Sequence, residues 1–176
     1  LSLTEQLYGN QSLELAIANM TKGEILSKTS DFEKALAALN RANRIFSRLE
    51  TPDYENQHVC LQQIGGIFIN IYTNNKTKTR FLDSALVYHQ RAEQLNQFLS
   101  PNSPIIYNNT IAYATAFGVK KDFIAQKTNL DRALTIAKKI FPPKHAAVAN
   151  LNQAYAEYYN SQNNHKEALK YHQMQI

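Results

Sequence analysis

The sequence predicts an all-α chain whose helices pair antiparallel and whose pairs stack side by side as a solenoid. Three observations carry this. Apolar side chains recur at steps of three and four, the signature of one helix face. A six-residue phrase occurs twice, as Ala85-Leu86-Val87-Tyr88-His89-Gln90 and as Ala168-Leu169-Lys170-Tyr171-His172-Gln173. Small residues return at Gly23, Gly65, Ala114 and Ala156, spaced 42, 49 and 42, and each is followed three positions on by a bulky one: Leu26, Phe68, Phe117 and Tyr159. A further series, Ala42, Ala92 and Ala133, is spaced 50 and 41. One period of about 42 residues explains both series if the second repeat carries seven or eight extra residues. A small residue lets two helix backbones approach, and a bulky one a turn away fills the space beside the contact. A single pair cannot bury its apolar face alone, so neighbouring pairs stack.

The elements follow in order. A helical segment over about 12–28 holds Gly23 and Leu26. Phe32, Ala35, Leu36, Leu39, Ala42, Ile45, Phe46 and Leu49 form the next stripe. Asp31 stands where a side-chain oxygen can cap free N–H groups, Arg41, Arg44 and Arg48 suit the negative end of the helix dipole, and Pro52 blocks continuation. A third helix is expected over about 55–72. The run Thr73 to Arg80 has no apolar side chain and no acid and supplies the extra residues as a solvated loop. Leu82, Ala85, Leu86, Ala92 and Leu95 give the fourth helix, and a fifth spans about 104–120. Leu130, Ala133, Leu134, Ile136, Ala137 and Ile140 give the sixth, a seventh spans about 146–161, and Ala168, Leu169 and Tyr171 begin an eighth that the end at Ile176 cuts short. No period-two strand pattern competes. The reading is one array over 1–176, with repeats at 12–50, 54–99 (insert 73–80), 103–141 and 145–176.

Composition narrows the class of function. The 176 residues are 44% hydrophobic and 19% charged, ordinary for a folded protein, and no apolar run approaches the ~20 residues of a membrane-spanning helix. A start on Leu rather than Met reads as a piece of a longer chain. One cysteine, Cys60, leaves no internal disulfide and no cysteine-based zinc cluster, and a single thiol between Val59 and Leu61 reads as packed, in a cytoplasmic protein. Four Asn-X-Ser/Thr triplets begin at Asn10, Asn19, Asn75 and Asn108, as a chain with 31 Asn and Gln generates by chance. The net charge of +5 is uneven: residues 1–100 hold 10 bases and 10 acids, residues 101–176 hold 9 and 4. There is no glycine-rich phosphate loop, no H-E-x-x-H and no nucleophile elbow, so no enzyme activity and no cofactor is expected. His58, His89, His145, His165 and His172 form no metal motif, and His89 and His172 share a repeat position rather than converge.

A small residue, an aromatic three later and an alanine on the next helix resemble the tetratricopeptide pattern. The period of about 42, rather than 34, is similar to the long variant found in kinesin light chains and many scaffold proteins. His145-Ala146-Ala147-Val148-Ala149 looks like the H-x-x-V-A start of that variant's first helices, and Leu7-Tyr8-Gly9 like the end of a preceding repeat. Where glycine is usual between paired helices this chain has Ser30, Lys121 and Asn163, it has no Trp, and Leu151 sits one position off the family's leucine.

The resemblance implies a right-handed superhelix whose first helices line a concave groove. Projected on that register, the groove positions are Ile17, Met20 and Glu24; Val59, Gln62 and Gly66; Asn108, Ile111 and Thr115; and Asn150, Gln153 and Glu157. Each triplet shares one helix face. Amides with small apolar groups suit an extended peptide, so the expected partner is a protein, held by a peptide or short helix in the groove. The carboxylate clamp of chaperone-binding tetratricopeptide domains, made of Lys, Asn and Arg, finds Ile17, Met20, Thr21 and Glu24, then Val59, Gln62, Gln63 and Gly66, with no cation among them.

Three other readings remain open. Lys120, Lys121, Lys127, Lys138, Lys139 and Lys144 could make a nucleic-acid face, although they spread over several helices without interleaved aromatics. The chain could be a regulatory segment of a larger enzyme. Leu169 and Met174 on the short last helix could drive self-association.

Overall fold

The computed structural model describes residues 11–75 and 79–174, so Leu7-Tyr8-Gly9 and the centre of the 73–80 insert lie outside the described residues. Among the described residues eight α-helices form in sequence: α1 Leu13–Lys28, α2 Phe32–Phe46, α3 Tyr54–Asn74, α4 Arg80–Gln94, α5 Pro104–Lys120, α6 Phe123–Ile140, α7 Ala146–Ser161 and α8 His165–Gln173. A 3₁₀ turn, Leu95–Phe98, follows α4. The helices pack as sequential antiparallel pairs, α1 with α2, α3 with α4, α5 with α6 and α7 with α8. Two compact units result, 1–99 and 100–176.

Three of the four within-pair turns are built alike. After α1, Ser30 takes φ 62°; after α5, Lys121 takes 63°; after α7, Asn163 takes 57°. These are the positions where the resemblance leads one to expect glycine, and the left-handed backbone is adopted without it. In each turn the following residue closes a wide bond back to the bulky residue of the repeat: Asp31 N–H to Leu26 O (3.0 Å), Asp122 N–H to Phe117 O (2.9 Å) and Asn164 N–H to Tyr159 O (2.9 Å). This is the Schellman helix end. The same three residues then cap the next helix, accepting from Lys34, Ala125 and Glu167 N–H. One Asp or Asn thus ends one helix and starts the next. The α3–α4 pair differs: α3 continues through Thr73 and Asn74, and Thr79 makes no side-chain cap bond ahead of Arg80.

In the first unit the core comprises Leu15, Ala16, Ala35, Leu39, Ala42, Ile45, Phe46, Cys60, Ile64 and Ile67. Gly23 sits where a Cβ would lie 2.5 Å from Leu39 Cγ and 3.2 Å from the Ala35 carbonyl, so the α1–α2 approach needs glycine. A Cβ on Gly65 would meet the His89 ring at 2.8 Å. In the second unit Tyr107, Ala114, Leu130, Ala133, Ala137, Leu151 and Tyr155 form the core. Ala114 and Ala156 are wholly buried, as the repeat spacing predicts. Tyr107 Oη donates to the Ala147 carbonyl (2.6 Å), tying α5 to α7, and Tyr155 stacks on Tyr171 with centroids 4.8 Å apart.

Candidate functional site

The first helices of the first unit are α1 and α3, and those of the second are α5 and α7. On α1, Ile17 is exposed and Glu24 is exposed and bonded to Lys28 (2.7 Å), while Met20 is half-buried against the core. On α3, Val59 and Gln62 are half-buried, and the space a side chain on Gly66 would fill is open. On α5, Asn108 and Thr115 are exposed, and Thr115 Oγ1 donates to the Ile111 carbonyl (3.1 Å). Ile111 is half-buried and packs into the second core. On α7, Asn150, Gln153 and Glu157 are all exposed, and Gln153 Nε2 donates to Glu157 Oε1 (3.0 Å). The helical step therefore places Met20 and Ile111 at the edge of the core, where they support the face more than they present it.

The second unit brings two of these positions together. Thr115 and Glu157, from successive first helices, line one cleft of about 220 Å³. Gly118 and Val119 of α5 and Ala154 and Ser161 of α7 complete its walls, with Gln126 and Leu130 of α6 at the same cleft. That volume is below the ~300 Å³ at which drug-sized ligand pockets begin, and it suits a single side chain.

Gln126 is the residue that sequence reasoning missed. It is only 8% exposed, and its Oε1 is sealed from water with no hydrogen-bond partner among the described residues. Its register explains why that is unusual. Ala35, Gln126 and Ala168 each donate their backbone N–H to the carbonyl of their own helix cap, Asp31, Asp122 and Asn164 (2.9, 2.9 and 3.1 Å). Ala85 holds the same place seven residues before Ala92, as Gln126 does before Ala133. Three repeats thus carry a buried alanine where the third carries an amide. Gly118 makes the room: a Cβ there would lie 2.6 Å from Gln126 Nε2 and 3.0 Å from its Oε1. The break in the alanine series was the available signal.

The other candidates resolve as follows. Cys60 is buried, and burial pushes its thiol up to about 12, far from a reactive thiolate. His58 is wholly buried, its Nε2 donates to Asn96 Oδ1 (3.1 Å), and burial holds it below the usual histidine range. Lys127 is engaged by Asp131 (2.6 and 2.9 Å) and lies 5.5 Å from the Tyr155 ring centroid. Asp131 also accepts from Tyr155 Oη (2.7 Å). Lys138, Lys139 and Lys144 are exposed, as are Leu169 and Met174. Among the described residues no group of His, Cys, Asp and Glu could hold a metal ion, and no helix is long and apolar enough to cross a membrane.

No protein-family model matches the chain, and neither does any curated protein. Among solved structures it is similar to the crystal structure of BtubC (BKLC) from P. vanneervenii, with a TM-score of 0.73 and 16% identity. The match covers 87% of this chain and 57% of that one, so the chain spans little more than half the length of that protein. At that identity the likeness shows the fold: all-α, built of sequential antiparallel helix pairs of tetratricopeptide-like type.

Proposed function

We propose that the chain is a non-catalytic protein-interaction scaffold whose first-helix faces hold an extended peptide or a short helix from a partner protein. The observation that carries this is the cleft in the second unit, where Thr115 and Glu157, expected from the repeat register to share a binding face, line one recess from two different helices. Around it Asn108, Asn150 and Gln153 are exposed and offer neutral donors and acceptors of the kind that pair with peptide backbone. The paired-helix fold seen in BtubC (BKLC) is consistent with a scaffold role. Affinity comes from small apolar burial and amide pairing, against the cost of ordering the ligand.

The test is to pan a displayed library of random eight-residue peptides against the full chain. Enriched peptides are then titrated into the wild type and into Asn108→Ala, Thr115→Ala, Asn150→Ala and Gln153→Ala. These side chains are exposed, so folding is preserved. The reading expects at least two of the four to weaken binding by about tenfold, which is about 1.4 kcal/mol. Equal affinity in all four, or no enrichment, rejects it.

A further inference from the structure

We propose that the cleft of the second unit is a pocket for one basic side chain, Lys or Arg, of the bound peptide. Gln126 receives its tip from beneath and Glu157 from the rim. The inference rests on the scaffold reading and specifies what that face selects. The chemistry is graded from wall to mouth. Val119, Leu130 and Ala154 offer apolar surface, onto which the methylene stem of a long cation packs while its head reaches a polar group. Among the described residues Glu157 is the one charged side chain lining the cleft, and its Oε1 already accepts from Gln153, which leaves Oε2 to take a cation. The Gln126 amide lies over Gly118 with its oxygen unpartnered, in a place where three other repeats bury a plain methyl group.

No protein donor fixes the sealed Oε1 where it lies. A half-turn of the amide exchanges its oxygen and nitrogen and aims the acceptor at the cleft. Acidic side chains are rejected at the same point, because Glu157 would face a like charge. Bulk electrostatics do not produce this preference. The chain carries a net charge of +5, which repels basic peptides overall, so any preference for Lys or Arg has to come from a local site.

The test uses a positional-scanning library of acetylated, amidated eight-residue peptides against the full chain. Sublibraries fix Lys, Arg, norleucine, Gln or Glu at each position. At one position, Lys or Arg should bind about tenfold tighter than norleucine and tighter still than Glu. Glu157→Gln, at an exposed position that cannot disturb the core, should remove most of that advantage. Glu157→Lys should reverse it toward Glu. Gln126→Ala, which restores the residue of the other repeats, should reduce the advantage severalfold while norleucine peptides bind as before. Binding with no basic preference, or a preference unmoved by both Glu157 variants, overturns this inference and leaves the scaffold reading standing. No binding by any sublibrary overturns both.

Discussion

The same repeat position carries His58 in the first unit and Tyr107 in the second, each seven residues before the small residue of its first helix. Both side chains are buried. Each ties its helix to another part of its own unit, His58 to Asn96 and Tyr107 to the Ala147 carbonyl. Burial shifts them in opposite directions, because it penalises the charged form and that form is a cation in one and an anion in the other. His58 is lowered, and Tyr107 is raised to about 12. One architectural position has thus been filled with two chemistries that fail at opposite ends of the pH scale.

The largest effect expected from a change to one unit comes from Tyr155→Ala. It removes a buried ring stacked on Tyr171 and a hydroxyl bonded to Asp131, and should destabilise the second unit by about 3–5 kcal/mol. Leu39→Ala in the first unit should cost about 2–5 kcal/mol. Amide hydrogen exchange resolved by residue should show each loss concentrated in its own unit, as nearest-neighbour stability in a repeat array requires. Equal acceleration in both units would show that the division at residues 99 and 100 has no energetic meaning.

Acidification sharpens the comparison next. The folded pKa of His58 lies below its ordinary value of 6.5. As pH falls through 6.5 the unfolded chain takes the proton first. The first unit is therefore stabilised above that pH and loses stability below it, by at most about 1.4 kcal/mol per pH unit until the folded pKa is reached. His145, His165 and His172 of the second unit are exposed. Between pH 7.5 and 5.5, protection factors, which correct for the slower intrinsic exchange at lower pH, should fall in α3 and α4 and hold steady in α5–α7, and His58→Gln should flatten the response. At the alkaline end Tyr107 acts with the reverse sign: its contribution is intact below pH 10 and declines toward 12.

The turns give a smaller effect, of stabilising sign. Lys121→Gly and Ser30→Gly relieve a left-handed backbone at φ 63° and 62° and should each raise stability by about 1 kcal/mol, with Asn163→Gly gaining less. Thermal melts of the three variants check this. A loss on Lys121→Gly would mean that its side chain matters more than its backbone. Smallest of all, Glu24→Gln breaks an exposed pair with Lys28 and should change stability by a few tenths of a kcal/mol.

Much of the helix pairing was legible in the sequence because it depends on size. Gly23, Gly65, Ala114 and Ala156 are all buried, and at the two glycines even a Cβ would collide with Leu39 or the His89 ring. The first two turns of α6 were not legible. Ile124 is 84% exposed and Gln126 is polar yet buried, so the apolar stripe becomes visible only from Leu130. The resemblance marked Ser30, Lys121 and Asn163 as the turn positions, but that they take a left-handed backbone without glycine depends on the Schellman bonds, which the residue types do not reveal. Of the candidate face, the register gave the positions, but which of them meet in one cleft depends on how α5 and α7 pack. The partial burial of Met20 and Ile111 likewise follows from helix rotation against the core, which spacing alone does not resolve.

The most direct test of the account is amide and side-chain NMR mapping of the full chain with an enriched peptide. It should perturb Asn108, Thr115, Gln126, Asn150, Gln153 and Glu157 together while Thr128 and Thr135, exposed on the second helix α6, stay still. Perturbation centred on α6 at Ile124, Thr128 and Thr135, with the first-helix residues unmoved, would contradict it.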